Sequence, residues 1–87
     1  MRINMAQINA QVSQLRQQAA VLRETQIALL SYKRNLNAHW RAASLIPLNQ
    51  ILDDNIRNLG KIAANLESIS SDILREAELI RMREEQS

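Results

Sequence analysis

Counting forward from Met5 in alternating steps of three and four residues meets Met5, Ile8, Val12, Leu15, Ala19, Leu22, Gln26, Leu29, Lys33, Leu36 and Trp40, of which nine in eleven are apolar. Such spacing marks one stripe of an amphipathic helix and predicts a helix over about residues 3–40. The same count started at Leu45 meets Leu45, Leu48, Leu52, Asn55, Leu59, Ile62, Leu66, Ile69, Ile73, Glu76 and Ile80, again nine in eleven. A second helix over about 45–82 is therefore expected, with a charged polar tail at 83–87 that frays or carries no fixed structure.

Between the two counts the step from Trp40 to Leu45 is too long for one continuous stripe. The interruption falls at about 41–44, where Ser44 can cap a new helix and Pro47 fits only in a first turn, because it lacks the N–H that later turns need. A connection this short allows only an antiparallel hairpin of two helices, each about 60 Å long at 1.5 Å per residue. Folding back about residue 43 brings Lys33 near Asp53 and Asp54, which explains a cation on an apolar stripe. Gly60, alone inside the second helix, predicts a close helix approach or a slight kink.

Neither stripe is narrow enough for one partner helix to cover. Val21, Ile27 and Leu30 flank the first, and Ile46, Ile51, Ile56 and Leu74 flank the second. Apolar area of this kind is worth about 25 cal/mol per Å2 when buried, so a second hairpin is expected to cover it. The fold class predicted is all-α: an antiparallel two-helix hairpin that dimerises into a four-helix bundle, with itself or with a similar partner. The interface is expected to use Leu15, Leu22, Leu29, Leu36, Leu48, Leu52, Leu59, Ile62, Leu66, Ile69 and Ile73.

Composition narrows the chemistry. In 87 residues there is one Gly, one Pro and no Cys or Phe. Too few turn formers remain for a sheet, and no disulfide framework or thiolate site exists. Eleven bases against nine acids leave +2, too little to point to nucleic acid. Residues 1–43 carry six bases and one acid, and 44–87 carry five bases and eight acids. These opposite balances face each other in a hairpin, where exposed pairs align the helices more than they stabilise them. No stretch approaches the roughly 20 apolar residues that span a bilayer, and the residues after Met1 do not form a general secretory signal.

Catalysis has little to work with. His39 is the only histidine, and beside the turn it is expected to be solvated or capping rather than a ligand. Asp53 and Asp54 are neighbours and so diverge by about 100° on a helix. No Gly-rich phosphate loop occurs, and the bases stand singly without interleaved aromatics. We expect no enzyme activity, cofactor or metal, and neither nucleic acid nor membrane as partner.

Trp40 stands at the last stripe position before the bend, and Tyr32 is the only other aromatic residue. By itself the indole reads as a plug against Leu36, Leu45 and Leu48, or as a contact for a partner. The segment Asn37-Ala38-His39-Trp40-Arg41-Ala42-Ala43-Ser44 between two long helices, with Leu59-x-x-Ile62-Ala63-x-x-Leu66-x-x-Ile69 in the second, resembles the WXG, or early secreted antigen, family of small type VII secretion proteins. The resemblance implies a helical hairpin in a four-helix bundle. It also implies export from Gram-positive bacteria as an effector, a chaperone or a co-secreted partner, with Trp40, Arg41 and Ala42 as the secretion and turn motif.

The family's motif glycine is Ala42 here, and no tyrosine follows Tyr32 to make the usual C-terminal export signal. Leu74-x-x-x-Glu78 and Ile80-x-x-x-Glu84 keep only its spacing and acid. This departure implies a subunit that travels with or escorts a larger toxin, as do the small helical partners of LXG-type toxins, starting in the cytoplasm and ending secreted or at the envelope. Two other readings use the same residues: a coiled-coil scaffold or tether forming one unbroken rod of about 120 Å, and a peripheral membrane helix pair.

Overall fold

The structure is a computed structural model and describes residues 2–40, 43 and 45–86. Helix α1 runs Met5–His39 and helix α2 runs Leu45–Gln86, and the two lie antiparallel and packed along each other, the longer α2 overhanging at its C-terminal end. The longest dimension is 68 Å, about half of what an unbroken rod would need, so the rod arrangement is excluded. The all-α hairpin read from the stripes is the fold.

Each end has a local cause. Asn4 caps α1, its Oδ1 accepting from the Gln7 N–H at 3.1 Å, which satisfies one of the first-turn donors. The α1 C-terminus closes on Trp40, whose backbone is extended and whose N–H donates to the Leu36 carbonyl at 2.9 Å. Pro47 lies in the first turn of α2, where its missing N–H has no carbonyl to satisfy. The Ser44 cap lies outside the described residues, as do Arg41 and Ala42.

At the far end α2 does not stop near residue 82 as the tail's composition suggested; it continues to Gln86. Two interactions hold it. Arg81 donates to Glu78 at 2.9 Å and to Glu85 at 2.7 Å, one pair backwards and one forwards along the helix. The extended residues before α1 reach the overhanging last turns, where the Ile3 N–H donates to both Glu84 carboxylate oxygens at 3.0 Å.

The α1 stripe is the one counted from Met5: Val12 and Ala19 are buried and Ile8, Leu15, Leu22, Gln26, Leu29, Lys33 and Leu36 are half-buried. Trp40 departs from it, as described below. On α2 only every second member of the counted stripe faces α1, and only as far as Ile73, since the last member, Ile80, is exposed. Leu45 and Leu52 are buried and Leu59, Leu66 and Ile73 half-buried, but Leu48, Asn55, Ile62, Ile69 and Glu76 are exposed. Their places are taken by the next residue in each case: Asn49, Ile56, Ala63, Ser70 and Ala77, of which Ala63, Ser70 and Ala77 are buried. This corrects the register read from apolarity. Small side chains let the two helices approach, so Ala63 fits the seam where the bulkier Ile62 does not.

Candidate functional site

The rotated seam has a consequence for the surface. Side chains at the edge of the seam and those one step beyond it form a continuous strip along one long side of the hairpin. From α1 it takes the half-buried Ile8, Leu15, Leu22, Leu29 and Leu36, bordered by Gln11, Gln18, Thr25, Tyr32 and His39. From α2 it takes Leu52, Leu59, Leu66 and Ile73, bordered by Leu48, Asn55, Ile62 and Ile69. Ile62 is 48% exposed and Ile69 47%. These rows contain no Asp, Glu, Lys or Arg until Glu76, in a chain of which 23% of residues are charged. Charge has been kept off this face.

The opposite long side is built differently. Arg23 pairs with Glu67 across the helices, and Lys33 Nζ reaches Asp53 Oδ1 at 2.6 Å. Asn37 and Asn49 exchange two side-chain amide hydrogen bonds, each 2.8 Å. Of the two acids expected near Lys33, Asp53 is the partner, whereas Asp54 turns to Arg57 at 3.0 Å. Polar bridges therefore close this side from the turn back to Arg23, beyond which a cleft is lined by Val12, Arg16 and Leu74, while the leucine side is left open along its length.

The open side has distinct ends. Near the turn, a cleft is lined by Tyr32, Asn35, Leu36, His39 and Trp40. Trp40 is 63% exposed and Tyr32 57%, so the indole does not plug the hairpin tip. With the chain extended at Trp40, its side chain leaves the seam. His39 is exposed, with Nδ1 2.8 Å from the Asn35 carbonyl oxygen one turn back, so the ring lies along its own helix end. At the other end Ile3, Ile8, Ile73, Ala77 and Ile80 form an apolar groove with Asp72 and Glu76 at its edge.

All eleven residues expected at an interface can now be placed. Leu48, Ile62 and Ile69 stand exposed on the open side. Leu15, Leu22, Leu29, Leu36, Leu59, Leu66 and Ile73 are shared between the seam and that side, and only Leu52 is buried in the seam. Of the turn motif only Trp40 is described. Sequence reasoning missed the Asn37–Asn49 pair, although these residues are placed symmetrically about the turn just as Lys33 and Asp53 are, and that symmetry is a readable signal. It also missed Tyr32 and the terminal Ile3–Glu84 contact, which depends on an extended segment no periodicity describes.

Little here resembles reactive chemistry. The described residues hold no group of three side chains suited to a metal, and no described helix is long and apolar enough to cross a membrane. Among the described residues the one marked electrostatic shift is at Arg81, whose pKa is held above the ordinary arginine value by its hydrogen bond to Glu78 and the charges of Glu78 and Glu85. Compared with known proteins, the chain matches no family model, no curated protein and no solved structure.

Proposed function

We propose that this chain is a non-enzymatic protein–protein assembly module whose hairpin completes its core by packing its open leucine side against a second helical hairpin, giving a four-helix bundle. The observation that carries this reading is the poverty of the core. Among the described residues, the largest side chain that is fully buried is a serine, Ser70, whose hydroxyl donates to the Leu66 carbonyl at 2.7 Å. No leucine or isoleucine reaches that depth. A domain of this size that leaves its leucines half in water has little margin of stability by itself, and an exposed apolar strip rimmed by polar residues marks an interaction surface.

Within that role, we assign the module to a WXG-like type VII secretion complex, as a small exported subunit or as the targeting partner and chaperone of a larger toxin. An exposed tryptophan at the tip of a long helical hairpin supports this assignment, because a costly exposed indole is suited to a recognition contact. The test is secretion from a Gram-positive host carrying such a system. Trp40→Ala is expected to lower export of the chain, or of the toxin it accompanies, by about tenfold or more, with circular dichroism unchanged. Export that persists without the secretion ATPase, or a parallel loss of helix content and export, would overturn the assignment.

A further inference from the structure

We propose a separate, reciprocal contact on the flank that faces away from the leucine side: α1 of one copy crosses α1 of another about Ala20. Glu24 of each copy then meets Arg16 of the other, and Ile27 of each enters the other's cleft at Leu74. The contact goes beyond the assembly proposed above and leaves the leucine side free.

The cleft lies where the row of cross-helix bridges is interrupted. Seven residues before Arg23, which pairs with Glu67, α1 carries Arg16; seven residues after Glu67, α2 carries Leu74. Arg16 thus meets an aliphatic side chain where Arg23 meets a carboxylate, and the two line an open cleft of about 410 Å3 together with Val12. Arg16 makes no ion pair or hydrogen bond with a described residue. Its own helix offers none either, because the positions three and four away are Val12, Ser13, Ala19 and Ala20.

The complement stands on the same helix. Glu24 is the only acid in residues 1–43, and the positions three and four from it are Ala20, Val21, Ile27 and Ala28. It too makes no ion pair or hydrogen bond with a described residue. Ser13, Gln17 and Ala20 of the cleft wall continue at the same spacing into Glu24 and Ile27, all of them exposed, so the five form one stripe. Ile27 is 67% exposed, an anchor with nothing of its own chain to cover it.

The stripe is complementary to itself. Arg16 and Glu24 stand four residues either side of Ala20, about 12 Å apart along the axis. In a twofold contact the same patch meets itself, so an axis at Ala20 brings each Arg16 to the level of the other copy's Glu24, within reach of two long side chains. Ile27 and Ser13 are each seven residues from Ala20, so the same axis carries Ile27 to the mouth of the cleft. At the axis itself the alanine methyl allows the two backbones to approach.

One helix crossing covers less than the ~800 Å2 per partner of a standard interface, so a Kd of about 100 µM is expected, weakening as salt screens the charges. Sedimentation of the full chain carrying Ile62→Glu and Ile69→Glu, which charge the leucine side, isolates this contact. In that background, pairs of hairpins are expected at high protein concentration and low salt. Adding Arg16→Glu, or Glu24→Arg, sets like charges together and is expected to weaken pairing by about tenfold or more with helix content unchanged. Ile27→Ser is expected to weaken it by about fivefold. The decisive sample is an equimolar mixture of the Arg16→Glu and Glu24→Arg proteins. Each repels its own copy, yet every crossed contact between the two joins opposite charges, so the mixture is expected to pair as the parent does. A background protein that stays monomeric, single variants that associate like the parent, or a mixture that fails to pair each overturns the contact. The leucine side is read separately, from the chain without Ile62→Glu and Ile69→Glu: if it forms no larger species than the background, the assembly reading fails while the charge exchange still decides the crossing.

Discussion

The two halves of the helix seam are held together by different means. Away from the turn, Val12 and Ala19 of α1 face Ala63, Ser70 and Ala77 of α2, all buried, and small side chains bring the two backbones close. Nearer the turn, α2 buries Leu45 and Leu52, but α1 contributes no buried residue among those described. There the seam is bridged by Gln26 Nε2 donating to the Ile56 carbonyl at 3.1 Å, by Lys33 on Asp53, and by the Asn37–Asn49 pair. Close packing stabilises but is tolerant of a slip by one heptad, because one alanine resembles the next. Polar pairs contribute little net energy yet have only one partner each. The hairpin thus takes its closeness from one half and its register from the other.

The largest expected effect breaks the close half. Ala63 is wholly buried, so Ala63→Leu has nowhere to put three more carbons without separating the helices. Overpacking of this kind costs about 1–3 kcal/mol. Denaturant unfolding followed by helical circular dichroism, at one fixed protein concentration because association adds to apparent stability, is expected to show a lower midpoint. The neighbouring Ile62→Leu, which points away from the seam, is expected to leave the hairpin's own packing unchanged. If the two substitutions cost the same, Ala63 is not the residue that faces α1.

This pair of neighbours also shows how far the sequence could be read. The existence of two helices, their reversal near residue 43 and the α1 stripe as far as Leu36 were legible, because up to there the apolar rows and the seam of α1 coincide. In α2 they do not. Ile62 and Ile69 are more apolar than Ala63 and Ser70, so any count of apolar residues prefers the row that the structure leaves exposed. What decides the seam is fit: small residues let the two backbones come close along the whole seam, and a large residue in the same place would hold them apart. The open face was half legible for the same reason, as excess apolar width without its location. The position of Trp40 could be counted, but its outward turn depends on an extended backbone at the helix end that no periodicity encodes.

A smaller effect is expected from the register half. Asn49→Leu removes one member of the reciprocal amide pair and leaves the Asn37 carboxamide oxygen without its donor, while Asn37 Nδ2 keeps the Lys33 carbonyl at 2.8 Å. A half-buried amide stripped of one partner costs about 1 kcal/mol. Replacing both, Asn37→Leu with Asn49→Leu, removes the unsatisfied group and is expected to restore or exceed the original stability. The price is specificity: the doubly substituted hairpin gains a leucine pair that can pair in shifted registers, which broadens amide NMR resonances near the turn. If the double variant stays as sharply resolved as the parent, Lys33–Asp53 and Gln26 suffice to set the register.

The smallest net effect, and the most discriminating, is at the boundary between the halves. A methyl group added at Gly60 would lie 2.7 Å from Gln26 Nε2, closer than real contacts allow, so the Gln26 amide must leave the Ile56 carbonyl. Gly60→Ala therefore gains about 1 kcal/mol of helix propensity and loses a hydrogen bond worth about the same, and unfolding should register almost no change. The two contributions separate in a double-mutant cycle. Gln26→Ala alone is expected to cost about 1 kcal/mol, but nearly nothing once Gly60→Ala is present, giving a coupling of about 1 kcal/mol between two residues 34 positions apart in sequence. The atom in the way is the end of a flexible side chain. If Gly60→Ala instead cost more than about 2 kcal/mol, the glycine would be serving a backbone approach that no side chain can yield to, and the two halves of the seam would be packed alike.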